Sequence, residues 1–182
     1  MDEHEFDTII RRAERPDERV AWFGALLTEA SGVSLVIVGG SAIEIYTAGA
    51  YVSSDIDIVG SKTRIAPVLR RWGFQQESGR SSRAYWVKSS LGLVDLVGTR
   101  LKSELPIQTI RTPYGSVNLG PVEELITRRL MRAGRERSPE LFQEAVLLAD
   151  RYKSALDWDY IEGHAKYERV LPLYEQLRRQ VQ

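Results

Sequence analysis

A mixed α/β domain followed by a helical C-terminal third is the fold class that three observations in this sequence predict. Short β-branched runs, "VSLVIVGG", "SSDIDIVG" and "LGLVDLVG", recur through the first 120 residues between segments of helical period. The stretch "IQTIRTPYGSVNL" has the alternation and central turn of a hairpin. From Gly120 onward the apolar period is helical only.

The elements follow in order. Ile9, Ile10, Val20, Phe23, Leu26 and Leu27 suit one or two amphipathic helices between Phe6 and Ala30, broken at Pro16 and closed by Ser31-Gly32. Residues 33–40 read as a strand buried on both faces, and Ser41 to Thr47 as a helix leaving it. Residues 53–60 form the second strand, and Ala66 to Trp72 a helix ended by Gly73. "RAYWVKSS" and "LGLVDLVG" read as two strands joined near Ser89-Ser90. The hairpin tip is expected at Tyr114-Gly115 or Gly115-Ser116. Gly120-Pro121 opens a helix with Glu123 and Glu124 in its first turn, ended by Gly134. Ser138 and Asp157 are the expected caps of the next two helices, and Leu171-Pro172 interrupts or restarts the last. The domain boundary is therefore placed between 1–120, a core with N-terminal helices, and 121–182, a helical section packed on it.

Composition narrows the chemistry. A chain of 182 residues can bury about 70% of its unfolded surface in one core. Lys+Arg and Asp+Glu are both 25, so no global charge excess points at nucleic acid or membrane. The absence of cysteine removes disulfides, thiolate metal sites and thiol nucleophiles. With two histidines, His4 and His164, a histidine triad or zinc site is hard to build. The acidic start "MDEHEFD" is unlike a signal peptide and no apolar stretch reaches membrane-spanning length, so a cytoplasmic location is the expectation.

One segment does not fit a purely structural reading. In "VGGSAIEIYTAGAYVSSDIDIVG", Asp55 and Asp57 interrupt an apolar strand, and burying carboxylates there costs several kcal/mol unless something positive compensates. A strand, a Gly39-Gly40-Ser41 turn and a helix together offer backbone amides and a hydroxyl to phosphate oxygens. Asp55 and Asp57 point to one face because strand side chains alternate. Crowded carboxylates stay ionised most easily with a cation between them, and hard oxygen ligands favour magnesium or manganese. Asp95 sits at the centre of another apolar strand. Three carboxylates facing a phosphate loop suit two-metal phosphoryl transfer. Each part has a bland alternative: Gly-Gly as a tight connection, Ser41 as a helix cap, Asp95 on an edge strand. Glu44 faces either the cleft or the helix exterior, and the tryptophans Trp72, Trp86 and Trp158 read as core or interface.

Gly39-Gly40-Ser41, Asp55-Ile56-Asp57 and the strand-borne Asp95 resemble the nucleotidyltransferase superfamily of the DNA polymerase β type, over roughly Leu35 to Leu96. With "GPVEELITRRL", the pattern is most similar to small prokaryotic members, both stand-alone transferases and toxins of the AbiEii type. The resemblance implies a small mixed sheet flanked by helices with a helical C-terminal section. It implies that Gly39, Gly40 and Ser41 hold nucleotide phosphates, that Asp55 and Asp57 bind two Mg²⁺ or Mn²⁺ ions, and that Asp95 binds one ion and helps deprotonate the acceptor. Arg129 stands where relatives carry a phosphate-binding lysine, and arginine can grip phosphate in its place. "RERSPELFQEA" departs from the family's Asp-bearing pattern.

The expected activity is transfer of a nucleoside monophosphate from a nucleoside triphosphate such as ATP to an acceptor hydroxyl. A tRNA is the favoured acceptor, with a protein or small molecule as alternatives, and a cognate toxin or antitoxin as a further partner. Arg128, Arg132 and Arg135 share one helix face and would make a track for RNA. The rival reading is a catalytically inactive nucleotide- or partner-binding module of the same fold.

Overall fold

The computed structural model describes residues 1–78 and 84–182. It divides into two compact units, Met1–Gly120 and Pro121–Gln182.

In the first unit, Asp2 caps helix α1 (Glu3–Ile10) by accepting from the Glu5 amide, and Pro16 opens helix α2 (Pro16–Ser31). Proline is tolerated there because the first helical amides have no intrahelical partner. Strand β1 (Val36–Val38) is only three residues long and runs directly into helix α3 (Gly39–Tyr46). The helix thus starts at the glycine pair itself, two residues before the position expected from sequence. Strand β2 (Asp55–Val59) follows, then helix α4 (Lys62–Arg71). Strand β3 (Gln75–Ser78) was not expected from sequence. Gln-Gln-Glu-Ser shows no apolar alternation, because it is one of the sheet's two edge strands and has little to bury.

Strands β4 (Ala84–Lys88) and β5 (Gly92–Gly98) pair antiparallel, with the turn at Ser89-Ser90 where expected. Arg83, the first residue of the expected β4, lies outside the described residues. Strands β6 (Gln108–Thr112) and β7 (Gly115–Leu119) form the expected hairpin. Thr112 pairs with Gly115, so the two-residue loop is Pro113-Tyr114, one residue before the first expected tip and two before the second.

These strands make one mixed sheet in the order β3-β4-β5-β2-β1-β7-β6, with β1·β7 and β2·β5 parallel and the other pairs antiparallel. Ile56, Ile58, Trp86, Val94 and Leu96 are buried on one face of its β4-β5-β2 part. Their strand neighbours Asp55, Asp57, Tyr85, Leu93 and Asp95 are half-exposed and, by alternation, point to the other face. Phe6 stacks on Trp72 with ring centroids 4.4 Å apart, and Phe23 and Phe74 complete that aromatic core.

The second unit is helical: α5 (Val122–Glu136), α6 (Pro139–Tyr152), α7 (Trp158–Tyr167) and α8 (Leu171–Val181). Ser138 and Asp157 cap α6 and α7 as expected, and Pro172 falls in the first turn of α8. Helix α5 does not stop at Gly134. It continues to Arg137, whose left-handed backbone closes it. A Cβ on Gly134 would lie 2.8 Å from Val170 Cγ1, so this glycine makes room for a neighbouring segment instead of ending a helix. No helix among the described residues is long and apolar enough to cross a membrane.

Candidate active site

The site is built by the strand-to-helix turn of β1–α3 and by β2 and β5. Gly39 has φ +64°, a left-handed conformation that side chains rarely adopt. A Cβ there would collide with the Asp57 carboxylate, which lies directly against the Gly39 backbone. Gly40 is walled similarly: its Cβ would lie 2.5 Å from Ser53 Oγ and 3.1 Å from Tyr51 Oη. The glycine pair therefore lets one carboxylate and one loop close onto the first turn of a helix. The opening amides of a helix have no intrahelical partners and carry the positive end of its dipole.

The three aspartates share one sheet face. In the parallel β2·β5 register, Asp55 pairs with Leu93 and Asp57 with Asp95. Directly paired residues on adjacent strands stand about 4.8 Å apart and send their side chains the same way. Asp57 and Asp95 are therefore neighbours across the ladder, with Asp55 two residues along β2. All three are half-exposed, which leaves them accessible to a ligand. Ser53 Oγ donates to Asp55 Oδ1 at 3.3 Å.

Ser41 has a more internal position than a phosphate ligand. It is fully buried, its hydroxyl donating to the Val38 carbonyl at 3.0 Å and accepting from the Asp57 amide at 3.2 Å. It thereby ties the glycine turn to β2 and sets the height of Asp57. Glu44, one turn further along α3, is also buried, at 2% exposure. Its Oε2 accepts from the Ser53 amide at 2.8 Å. Burial pushes the Glu44 carboxyl above the usual carboxylate range; the Ser53 amide and Arg19 oppose that shift, and the nearby Asp17 adds to it.

Arg129 belongs to the second unit. It is 8% exposed and ion-paired with Glu144, Nε to Oε2 at 2.5 Å, which joins α5 to α6. On the same helix Arg128 is exposed, Arg132 pairs with Glu136 and Arg135 with Glu168. Two of the three arginines of the proposed track thus already carry carboxylate partners.

The donor chemistry fits a hard divalent cation, since the half-exposed carboxylates of Asp55, Asp57 and Asp95 offer only oxygen. Among the described residues no group of three or more acidic or histidine side chains closes on a single point to hold an ion. Magnesium sites generally take part of their coordination from substrate phosphates and water. Sequence reading missed Tyr51 and Ser53; nothing in "AYVSS" distinguishes it from an ordinary polar loop.

Two solved structures share this architecture. One is an antigenic nucleotidyltransferase-like protein from Paracoccidioides brasiliensis, with TM-score 0.59 and 13% identity over 90% of this chain and 92% of that one. The fold is that of the nucleotidyltransferases. The second is the antibiotic-resistance factor ANT(2'')-Ia, with TM-score 0.56 and 15% identity over 88% of this chain and 95% of that one. No protein-family model matches the sequence, and comparison with curated proteins gives no match. In this chain the site's parts come in the order glycine turn, helix α3, two aspartates on β2 and a further aspartate on the adjacent β5.

Proposed function

We propose that the protein is a metal-dependent nucleotidyltransferase that moves a nucleoside monophosphate from a nucleoside triphosphate to an acceptor hydroxyl. The observation that carries this reading is the cross-strand pair Asp57–Asp95, with Asp55 on the same half-exposed face and Gly39 beneath the Asp57 carboxylate. Asp55 and Asp57 would hold two Mg²⁺ or Mn²⁺ ions, one shared with Asp95, and these would neutralise the triphosphate and acidify the acceptor hydroxyl. The Gly39-Gly40 turn receives the phosphates against the start of α3, where backbone amides stabilise negative charge without side-chain crowding. Ser41 keeps Asp57 in place through its amide. Asp95 takes the proton of the acceptor hydroxyl. The acceptor oxygen then bonds to the α-phosphorus, and the bond to the leaving pyrophosphate breaks.

The protein is expected to bind Mn²⁺ or Mg²⁺ weakly alone and at least about tenfold more tightly once a nucleotide supplies its oxygens. Calorimetry with and without a non-hydrolysable ATP analogue measures this. Tight metal binding without nucleotide, or none with it, counts against the site. Metal–nucleotide binding without transfer to any acceptor would instead support the inactive module.

For the acceptor, RNA remains the favoured class, and a partner within a toxin–antitoxin pair is a related reading. Three exposed arginines on α5 would give log affinity a slope of roughly −2 against log salt for a single-stranded end. Charge reversal at Arg132 should weaken tRNA binding without changing nucleotide affinity, measured by filter retention across a salt series. A flat salt response redirects the search to protein and small-molecule acceptors.

A further inference from the structure

Helix α3 grips the entrance of β2 twice with side chains one turn apart. Ser41 accepts from the Asp57 amide, and Glu44 accepts from the Ser53 amide. The first bond places a residue of the candidate site directly. The second places a loop residue, Ser53, that has two further contacts with the site. Its hydroxyl donates to Asp55 Oδ1, and its side chain packs over the Gly40 backbone, where a Cβ would lie 2.5 Å from Ser53 Oγ.

A carboxylate at 2% exposure is an expensive way to hold a loop. Asp17, also buried, sits close enough to add repulsion, although Arg15 grips it through two hydrogen bonds of 3.1 Å. An apolar residue at position 44 would avoid that cost but would leave the Ser53 amide without its acceptor. The buried polar side chain is therefore matched to a task that needs an acceptor oxygen at one point, the Ser53 amide.

We infer that Glu44 is a positioning residue for the metal–nucleotide site, acting through Ser53 to fix the Asp55 carboxylate and the wall of the Gly39-Gly40 turn. The role rests on the nucleotidyltransferase reading above. It does not require Glu44 to touch nucleotide or metal. What Glu44 supplies is a fixed Ser53 amide, and what Ser53 supplies is a fixed Asp55.

The test compares Glu44→Gln, Glu44→Ala and Ser53→Ala by Mn²⁺ titration in the presence of a non-hydrolysable ATP analogue, with thermal melts of each. Glutamine retains an acceptor oxygen without the charge, so Glu44→Gln should bind Mn²⁺ within about threefold of wild type and melt no lower. Glu44→Ala removes the acceptor and should weaken Mn²⁺ binding about tenfold, the equivalent of one lost hydrogen bond to a charged group. Ser53→Ala keeps the Glu44 bond and the loop but loses the link to Asp55, so it should weaken Mn²⁺ binding at an unchanged melting temperature. That separates positioning from stability. Wild-type binding with no loss in Glu44→Ala or Ser53→Ala overturns this role alone, as does a Glu44→Gln as weak as Glu44→Ala. Failure of wild type to bind metal and nucleotide together overturns the proposed reaction and this role with it.

Discussion

Asp57→Asn is expected to reduce nucleotidyl transfer by about 10³-fold or more, the equivalent of about 4 kcal/mol of transition-state stabilisation. Asparagine has nearly the same shape, so it fits against Gly39 where the carboxylate lies. The Ser41 bond goes to the backbone amide of residue 57 and survives the change. What disappears is one anion beside Asp95, and with it one of the two carboxylates assigned to both metal ions. Removing a like charge from the metal-free protein relieves repulsion, so the melting temperature should hold or rise. Single-turnover transfer of labelled nucleotide and a thermal melt of the same preparation give both numbers. A variant that melts many degrees lower yet retains transfer would assign Asp57 to structure.

Gly39→Ala should damage folding and binding together. A non-glycine residue at φ +64° costs about 1–2 kcal/mol, and here the added methyl also meets the Asp57 carboxylate. A total of about 2–3 kcal/mol lowers the melting temperature of a chain this size by about 5–10 °C. The surviving folded fraction should bind the ATP analogue at least about tenfold more weakly, because Asp57 has to move away from the turn. Melting and calorimetry on folded protein separate the two effects. An alanine variant with wild-type melting and nucleotide affinity would mean that the turn relaxes freely and does not shape the site.

Several features follow from local rules that the sequence obeys without help. The strands at 36–38 and 55–59 fall inside the expected 33–40 and 53–60, and the caps Ser138 and Asp157 form as expected, because their determinants lie within a few residues. Asp55 and Asp57 share a face for the same reason, since alternation is a property of one strand.

Other features were legible only in part. Gly134 has the local signature of a helix end, yet α5 runs through it because Val170, far along the chain, occupies the space that a side chain would take. Strand β3 carries no apolar pattern and exists because β4 offers it an edge to pair with. Arg129 can be read as a phosphate ligand from its neighbours, but Glu144 on the next helix engages it.

From its sequence alone this chain determines a mixed α/β core, a helical C-terminal section, and a glycine turn followed by two aspartates on one strand face. Tertiary structure decides that Asp95 becomes the neighbour of Asp57, because that requires the parallel β2·β5 pairing between strands nearly 40 residues apart and in one register. A shift of one residue would send Asp95 to the buried face. It also decides that Ser41 and Glu44 face inward, where Ser41 fixes the Asp57 amide and Glu44 the Ser53 amide. Local chemistry sets which face a side chain takes along its own strand. Only long-range pairing and burial set what stands opposite it.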